Sequence, residues 1–599
     1  MARRPRPPFL FFEEKPLVPF SLKTFIDRHP ARSYHPFVQP VIRAAQMRLI
    51  DRLTTENFKT PSLLLMEAAA NSCLRAIESH FDGKLSDKTA RILCGRGNNG
   101  GDGAALARAL ARVGVHCDVV LFGKLSELSG DAESNMQAVS ELASFAAGSA
   151  VSPSPLTFVE CDSVASWENI ARPRRSYDLI VDALFGTGLT RPLEGVFLKV
   201  IEHLEMLRGA RERAADVHPL ILSVDVPSGL NADLAQPIGA TVQADLTVTF
   251  TAAKPANVLS PAAEFGGKFI VADIGSPRSL VDATKPDLFL IDAEDARSWL
   301  TKTRYTPNSY KNTHGHALVV AGARGYFGAA ALCGNAAMRS GAGLVTIATP
   351  ASAQSTVAAN AMSEVMTTAL AETDRGSVSD EAIEHLQKLS AKTTAIAIGP
   401  GLTSDDERTR KFVHNVVANR TTPVVIDADG LNCLSTWPQD LRGSDEFPLI
   451  LTPHPGEMLR LMGQTDKSAI DDRVLAARSF AVAHHVIVVL KGPRQLIATP
   501  DGRVFINATG NAGLGTAGAG DTLTGLIVGF ISQAQATLGS NADSLEATIA
   551  ALYVGGLAGD FAASEIGMRT MVASDIREHF SHAIRFLDPD GERPPTTHT

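Results

Sequence analysis

No CxxC pair occurs anywhere in the 599 residues. The six cysteines (Cys73, Cys94, Cys117, Cys161, Cys333 and Cys433) stand singly and far apart, which argues against a cysteine zinc cluster or a disulfide framework and fits a reducing compartment. No apolar run reaches the roughly 18 residues of a membrane span. No basic stripe is present either: the formal net charge is -8 and both signs are mixed along the chain, so a nucleic-acid surface is not expected. The N-terminus, MARRPRPPFLFFEEKPLVPF, carries basic residues and an FLFF patch, but Glu13, Glu14 and repeated prolines interrupt it before a signal-peptide core can form. Residues 1–40 are therefore expected to be a disordered extension, and the protein to be cytoplasmic, with small molecules as partners and neither membrane nor nucleic acid. Homo-oligomerisation is left open.

At this length one hydrophobic core is not enough, so at least two domains are expected. From Val41 onward short apolar runs alternate with amphipathic stretches: RILC, CDVVLF, DLIVDA, LILSVDV, LTVTF and KFIVADI read as strands. A second series, HALVVAG, LVTIAT, AIAIG, PVVIDA, LILT and VIVVL, follows a polar stretch near 276–312 and ends in a hairpin turning at Pro-Asp-Gly. Strand–helix–strand alternation implies parallel sheets covered on both faces. The expected fold class is α/β with two tandem domains, at 41–280 and 295–590.

In the first domain, RILCGRGNNGGDGAALARAL ends a strand at Cys94, passes through a glycine-rich loop and starts a helix near Asp102. Backbone N–H groups in such a loop can approach an anion, and the helix terminus adds its dipole. Tight turns also need glycine, but a turn does not need the polar Asn98, Asn99 and Asp102. Two more strands end in acids: Asp182 before FGTGLTRP and Asp225 before PSG. A lone aspartate there is commonly a helix cap; three such strand ends point to one pocket.

NNGGDG, DALFGTG and DVPSG in this order, preceded by AAQMRLIDRL and LLLMEAAAN, resemble the NAD(P)HX epimerases, which interconvert the R and S hydrates of reduced nicotinamide dinucleotides. The resemblance implies a Rossmann-like three-layer domain. It implies dinucleotide contacts from Asn98, Asn99, Gly100, Gly101 and Asp102 and from Gly186, Thr187, Gly188, Leu189, Thr190, Arg191 and Pro192. It also implies catalysis at Asp225, which lies at the reacting nicotinamide, and a K+ site at Asn99, Asp182 and Ser228. For Ser228 a plain turn residue is the alternative.

The second domain contains GNAGLGTAGAGDTLTGLIVGF, where successive amides at a helix start can hold a developing negative charge and Asp521 can serve as a base or simply as an N-cap. The segment resembles the anion hole of ribokinase-like proteins. Together with AIGPGL, DADGLN, TPHPGEM and VVLKGPRQLI it is similar to the ADP- or ATP-dependent NAD(P)HX dehydratases. That likeness implies substrate contacts from Ala329, Gly401, His454 and the catalytic Asp521. It implies nucleotide contacts from Lys491, Gly492, Pro493, Arg494, Gln495 and Gly520, with ADP as co-substrate and Mg2+ accompanying it. His454 has the alternative of capping the helix that follows. Thr403 stands where relatives usually have glycine, and Gly556 where histidine is common.

The expected function is repair of NADHX and NADPHX: epimerisation of both hydrates, then ADP-driven dehydration of the S form. The rival is a ribokinase-type vitamin kinase, suggested by the likeness of TPHPGE to TPN-x-x-E, fused to a non-catalytic dinucleotide-binding module.

Overall fold

The computed structural model describes residues 38–147, 155–172, 176–211 and 219–591. The chain enters through a short strand, β1 (Gln39–Val41), and then builds a seven-stranded sheet. Its strands are β2 (Thr89–Cys94), β3 (His116–Leu121), β4 (Leu156–Glu160), β5 (Leu179–Ala183), β6 (Leu220–Val224), β7 (Leu246–Phe250) and β8 (Lys268–Ala272). All pair in parallel, in the order β4-β3-β2-β5-β6-β7-β8. Side chains alternate between faces as the pleat dictates. Ile92 and Cys94 enter the core on one side of the sheet and Leu93 the core on the other. The chain leaves β2 toward β3 and β5 toward β6, in opposite directions, so a crevice opens between the ends of β2 and β5.

The second sheet has eleven strands: β9 (Leu288–Ile291), β10 (His316–Val320), β11 (Leu344–Pro350), β12 (Met366–Leu370), β13 (Ala395–Ile398), β14 (Val424–Ile426), β15 (Leu449–Leu451), β16 (Ile487–Leu490), β17 (Leu496–Ala498), β18 (Val504–Asn507) and β1 itself. The order is β1-β9-β18-β17-β16-β15-β14-β13-β10-β11-β12. The run β16 to β12 is parallel, and β17–β18 is the expected hairpin. Its switch point lies between β10 and β13, where Gly322 N donates to Pro400 O at 2.8 Å. Ala317 and Val319 face one core, Leu318 and Val320 the other.

Three expectations need correction. The helix expected from Asp102 begins at Asn98, so the NNGGDG stretch is its first turns and not a loop. It can begin early because Gly100 packs on the end of β2: a Cβ there would lie 1.9 Å from Gly95 O. The extension expected to reach residue 40 gives way to β1 at Gln39, which pairs antiparallel with β9; its remainder, 1–37, falls outside the described residues. The second domain, expected from 295, already contributes β9 at 288. The LFLI run of β9 lies inside the 276–312 stretch that reads as a polar linker. β1 is three residues long and includes Pro40, which is tolerated because β1 is the sheet's outermost strand.

Candidate active sites

A cavity of about 770 Å³ opens at the carboxyl ends of β2, β5 and β6. Asn98, Asn99, Asp102, Gly186, Thr187, Gly188, Leu189, Arg191, Pro192 and Asp225 line it, as the motifs anticipate. Gly100, Gly101 and Thr190 do not. Gly101 faces Met66 and Ala132 instead, where a Cβ would come within 2.8 Å of the Met66 sulfur. Asp51, Phe250 and Lys254 also line the cavity; Asp51 lies within AAQMRLIDRL, where nothing singles it out, and Phe250 and Lys254 fall outside every motif.

Asp225 leaves β6 with left-handed backbone, φ 68°. Its amide donates to Val248 O at 2.8 Å, and Asn257 Nδ2 donates to its carbonyl at 3.2 Å. Oδ1 accepts from Thr249 Oγ1 at 2.8 Å and from Lys254 Nζ at 2.5 Å. Among the described residues nothing donates to Oδ2. A Cβ on Gly186 would lie 3.3 Å from that oxygen and 3.1 Å from Asn99 Oδ1, so glycine there lets the two polar groups meet across the crevice.

Asp182 is fully buried at the end of β5. Oδ2 accepts from Ser223 Oγ and Ser228 N, each at 2.8 Å, and Oδ1 from Ser228 Oγ at 2.6 Å. Ser228 Oγ in turn accepts from Phe185 N at 2.9 Å. Ser228 is thus more than a turn residue: it ties the DVPSG loop to the end of β5. Burial pushes the Asp182 carboxyl up, opposed by these hydrogen bonds. Asn99 Nδ2 is buried without a partner among the described residues.

Two further carboxyls share the cavity. Burial, and then the charge of Asp225, hold Asp102 well above the ordinary carboxylate range. Asp51 is pushed up to about 6, chiefly by burial, with Asp225 adding and Lys254 opposing. The first site is therefore a pocket rich in proton-carrying groups around one free carboxylate oxygen.

In the second domain Gly518 takes left-handed backbone, φ 82°, and caps the helix Ala519–Leu538. Ala519 N donates back to Thr516 O at 3.4 Å, while the Gly520 and Asp521 amides at the helix start have no backbone acceptor among the described residues and are placed for an anion. Asp521 lies in the first turn, pushed up to about 7 by burial and by the Asp427 carboxylate, with Lys491 opposing. Lys491 Nζ donates to Asp427 Oδ1 at 2.7 Å and lies 3.9 Å from Glu457 Oε2. A Cβ on Gly520 would lie 3.4 Å from Lys491 Nζ, which brings that ammonium to the anion-binding turn. Ala329 and Gly401 are neighbours, since a Cβ on Gly401 would come within 3.0 Å of the alanine methyl. Gly492 and Pro493 are exposed, and Arg473 Nη1 holds Pro493 O at 2.5 Å. Arg494 takes left-handed backbone, φ 50°, and Gln495 O accepts from Asn507 N within the hairpin.

His454 does cap the helix Pro455–Leu461: Nδ1 accepts from Gly456 N at 3.0 Å, and Glu457 returns a carboxylate to the His454 amide at 2.8 Å. The ring is half exposed. Thr403 takes left-handed backbone, φ 62°, which explains why glycine is usual there; its hydroxyl lies 2.6 Å from Ser377 Oγ.

Two family models match the chain, one described as YjeF-related protein N-terminus over residues 62–256 and one as NAD(P)H-hydrate dehydratase over 317–581. The bifunctional NAD(P)H-hydrate repair enzyme Nnr of Moorella thermoacetica is 37% identical over 555 residues, spanning 92% of this chain and 98% of that protein. The enzyme of the same name from Escherichia coli is 32% identical over 502 residues, 83% of this chain and 85% of that one. Among solved structures, an ADP/ATP-dependent NAD(P)H-hydrate dehydratase from Bacillus subtilis, co-crystallised with ATP and Mg2+, matches half of this chain and 98% of its own at 29% identity and a TM-score of 0.42.

Proposed function

The chain belongs to the bifunctional NAD(P)H-hydrate repair enzymes, and from that premise we propose how its two sites divide the work. The first domain epimerises the R and S hydrates of NADH and NADPH; the second dehydrates the S form to the reduced cofactor at the expense of a nucleotide. The observation that carries this reading is the pairing, in one chain, of a free carboxylate oxygen in a deep pocket, Asp225 Oδ2, with a protonatable carboxyl on an amide-rich helix start, Asp521.

In the first site the pocket bounded by residues 98–102 and 186–192 holds the dinucleotide, and Asp225 moves the proton at the hydrated ring. A K+ ion at Asn99, Asp182 and Ser228 fits the donor set. The side chains offer oxygen with a single carboxylate, as a hard monovalent ion needs, and the unpartnered Asn99 amide leaves an orientation open to one. Bound there, the ion would neutralise the buried Asp182 charge.

In the second site Asp521 takes the proton from the substrate hydroxyl as that oxygen accepts the terminal phosphoryl group of the nucleotide. The helix-start amides stabilise the negative charge, and departure of phosphate with a neighbouring ring proton restores the double bond. Ala329, Gly401 and His454 flank the substrate; Lys491–Gln495 and Gly520 hold the nucleotide. Mg2+ supplies charge neutralisation at the phosphates. We take ADP as the preferred nucleotide, since fused chains with the epimerase first resemble bacterial members that use it. Turnover of the S epimer at matched ADP and ATP concentrations is the check, and tenfold faster turnover with ATP, about 1.4 kcal/mol of transition-state stabilisation, overturns the preference. The free and buried state of all six cysteines supports a reducing, cytoplasmic setting.

The deciding assay incubates the protein with prepared NADHX epimers and each nucleotide, and follows the return of reduced-nicotinamide absorbance. Both epimers are consumed if both sites act. A stable phosphorylated product without recovered absorbance would instead favour the vitamin-kinase reading.

A further inference from the structure

We propose that Lys254, together with Thr249, is a positioning residue of the epimerase site, fixing Asp225 so that one carboxylate oxygen is locked and the other is presented to the hydrated ring. The assignment rests on Asp225 being the epimerase base.

Lys254 is 1% exposed and Thr249 fully buried, yet both are polar. An ammonium has three donors and no acceptor. Those of Lys254 go to Asp225 Oδ1 at 2.5 Å, Thr249 Oγ1 at 2.8 Å and Phe250 O at 3.1 Å. None is left for a ligand, although Lys254 lines the cavity. Lys254 is therefore not built to pass a proton to substrate. The Thr249 hydroxyl accepts from Lys254, so its own proton goes to Asp225 Oδ1 at 2.8 Å. Oδ1 thus receives two hydrogen bonds while Oδ2 receives none from the described residues.

The backbone is held by the same group of residues. Asn257 Oδ1 accepts from the Lys254 amide at 2.9 Å, and its Nδ2 donates to Asp225 O at 3.2 Å. This tie helps to keep Asp225 in the left-handed conformation that non-glycine residues rarely adopt. Thr249, Lys254 and Asn257 together hold both the Oδ1 side of the Asp225 carboxylate and its backbone carbonyl. A buried cation whose donors all serve one carboxylate and the strand behind it is an orienting device: it selects which oxygen faces the ligand and denies the carboxylate other rotamers.

The test uses the full-length protein and follows conversion of one purified hydrate epimer, by chromatography, without nucleotide. Dehydration of the S epimer in the same preparation reports on folding. In Lys254→Met and in the isosteric Thr249→Val, kcat for epimerisation should fall at least about 10²-fold, the lower end of what a positioned base supplies. KM should stay unchanged and dehydration intact, and Thr249→Ser, which keeps the hydroxyl, should restore epimerisation. If Lys254→Met fails to fold, dehydration is lost as well and Thr249→Val against Thr249→Ser decides. Epimerisation within a few-fold of wild type in the folded variants, or a loss carried by KM alone, would overturn the proposal. Asp225→Asn separates the premise: it should cost about 10²–10⁴-fold. Wild-type epimerisation in that variant removes the base itself, whereas an inactive Asp225→Asn beside active Lys254→Met and Thr249→Val removes only the positioning role.

Discussion

Asp521 occupies a spot where burial and the Asp427 carboxylate both oppose its ionisation, raising it to about 7. A base must be ionised to accept a proton, so dehydration should rise as pH passes 7 and level off above it. Asp427→Asn removes the largest repelling charge while Lys491 stays beside Asp521; the acid limb should then move to lower pH. Stability runs the other way. The folded chain holds the Asp521 proton more tightly than the unfolded chain, where an aspartate titrates near 3.9. The fold therefore loses stability between about pH 4 and 7, about 1.4 kcal/mol for each pH unit separating the two values. Asp521→Asn should abolish dehydration, spare epimerisation and melt higher than wild type at pH 8, the two melting points converging near pH 4. A variant that dehydrates normally, or melts lower at pH 8, contradicts this. Asp182, Asp225 and Asp521 were legible because each ends a strand or begins a helix inside a motif. Lys254 and Asp51 were not. A lysine in TAAKPAN and an aspartate in MRLIDRL look like ordinary surface charges, and only the fold shows that one is buried and that both face the same cavity. The faint signal at Lys254 was its apolar flanks, Ala252, Ala253, Pro255 and Ala256.

The elements were read well wherever apolar runs were long and poorly at sheet edges. β4 (LTFVE) and β12 (MTTAL) went unanticipated because they are half-exposed edge strands with polar residues breaking the apolar run, whereas the edge strand β8 is legible from its FIVA run. Gly556 shows how a departure from family habit is absorbed within one element. A Cβ there would lie 2.2 Å from Thr509 Oγ1 and 2.8 Å from that residue's carbonyl carbon, so the histidine common in relatives has no room. The helix Ser544–Ile566 instead grips the segment leading to the anion-binding turn: Gly510 N donates to Asp560 Oδ2 at 2.9 Å, and Asn511 Nδ2 to Gly559 O at 3.0 Å. Gly556→Ala should push that segment away, costing roughly 1–3 kcal/mol as overpacking usually does. Dehydration should fall with epimerisation retained, measured by thermal melting beside both assays. An unchanged melting temperature would mean that the segment yields freely.

At the scale of the whole molecule, two domains were evident from two strand series, but the apolar cluster that joins them was not. Gln39 Nε2 donates to Asp292 across 253 residues of sequence, and no local pattern encodes a pairing between strands of three and four residues at that separation. Val41 and Ala253, Val258 and Leu259 of the first domain pack in the same apolar cluster as Leu288, Leu290 and Leu318 of the second. Ile42 N donates to Ala253 O at 2.8 Å, one residue before Lys254. The lysine that orients the epimerase carboxylate is therefore anchored on a strand of the dehydratase sheet. Domains joined through buried apolar contacts should unfold together, so calorimetry of the full chain should give a single transition, with both activities lost together on heating. Val41→Asp buries a charge at a 2% exposed position in that cluster. An unpaired buried charge is expensive, and the cost falls on the contact joining the domains. The variant should show two transitions, with epimerisation lost at the lower one because the anchor of Lys254 goes first. Two well-separated transitions in the wild type would show that the shared cluster does not couple the domains.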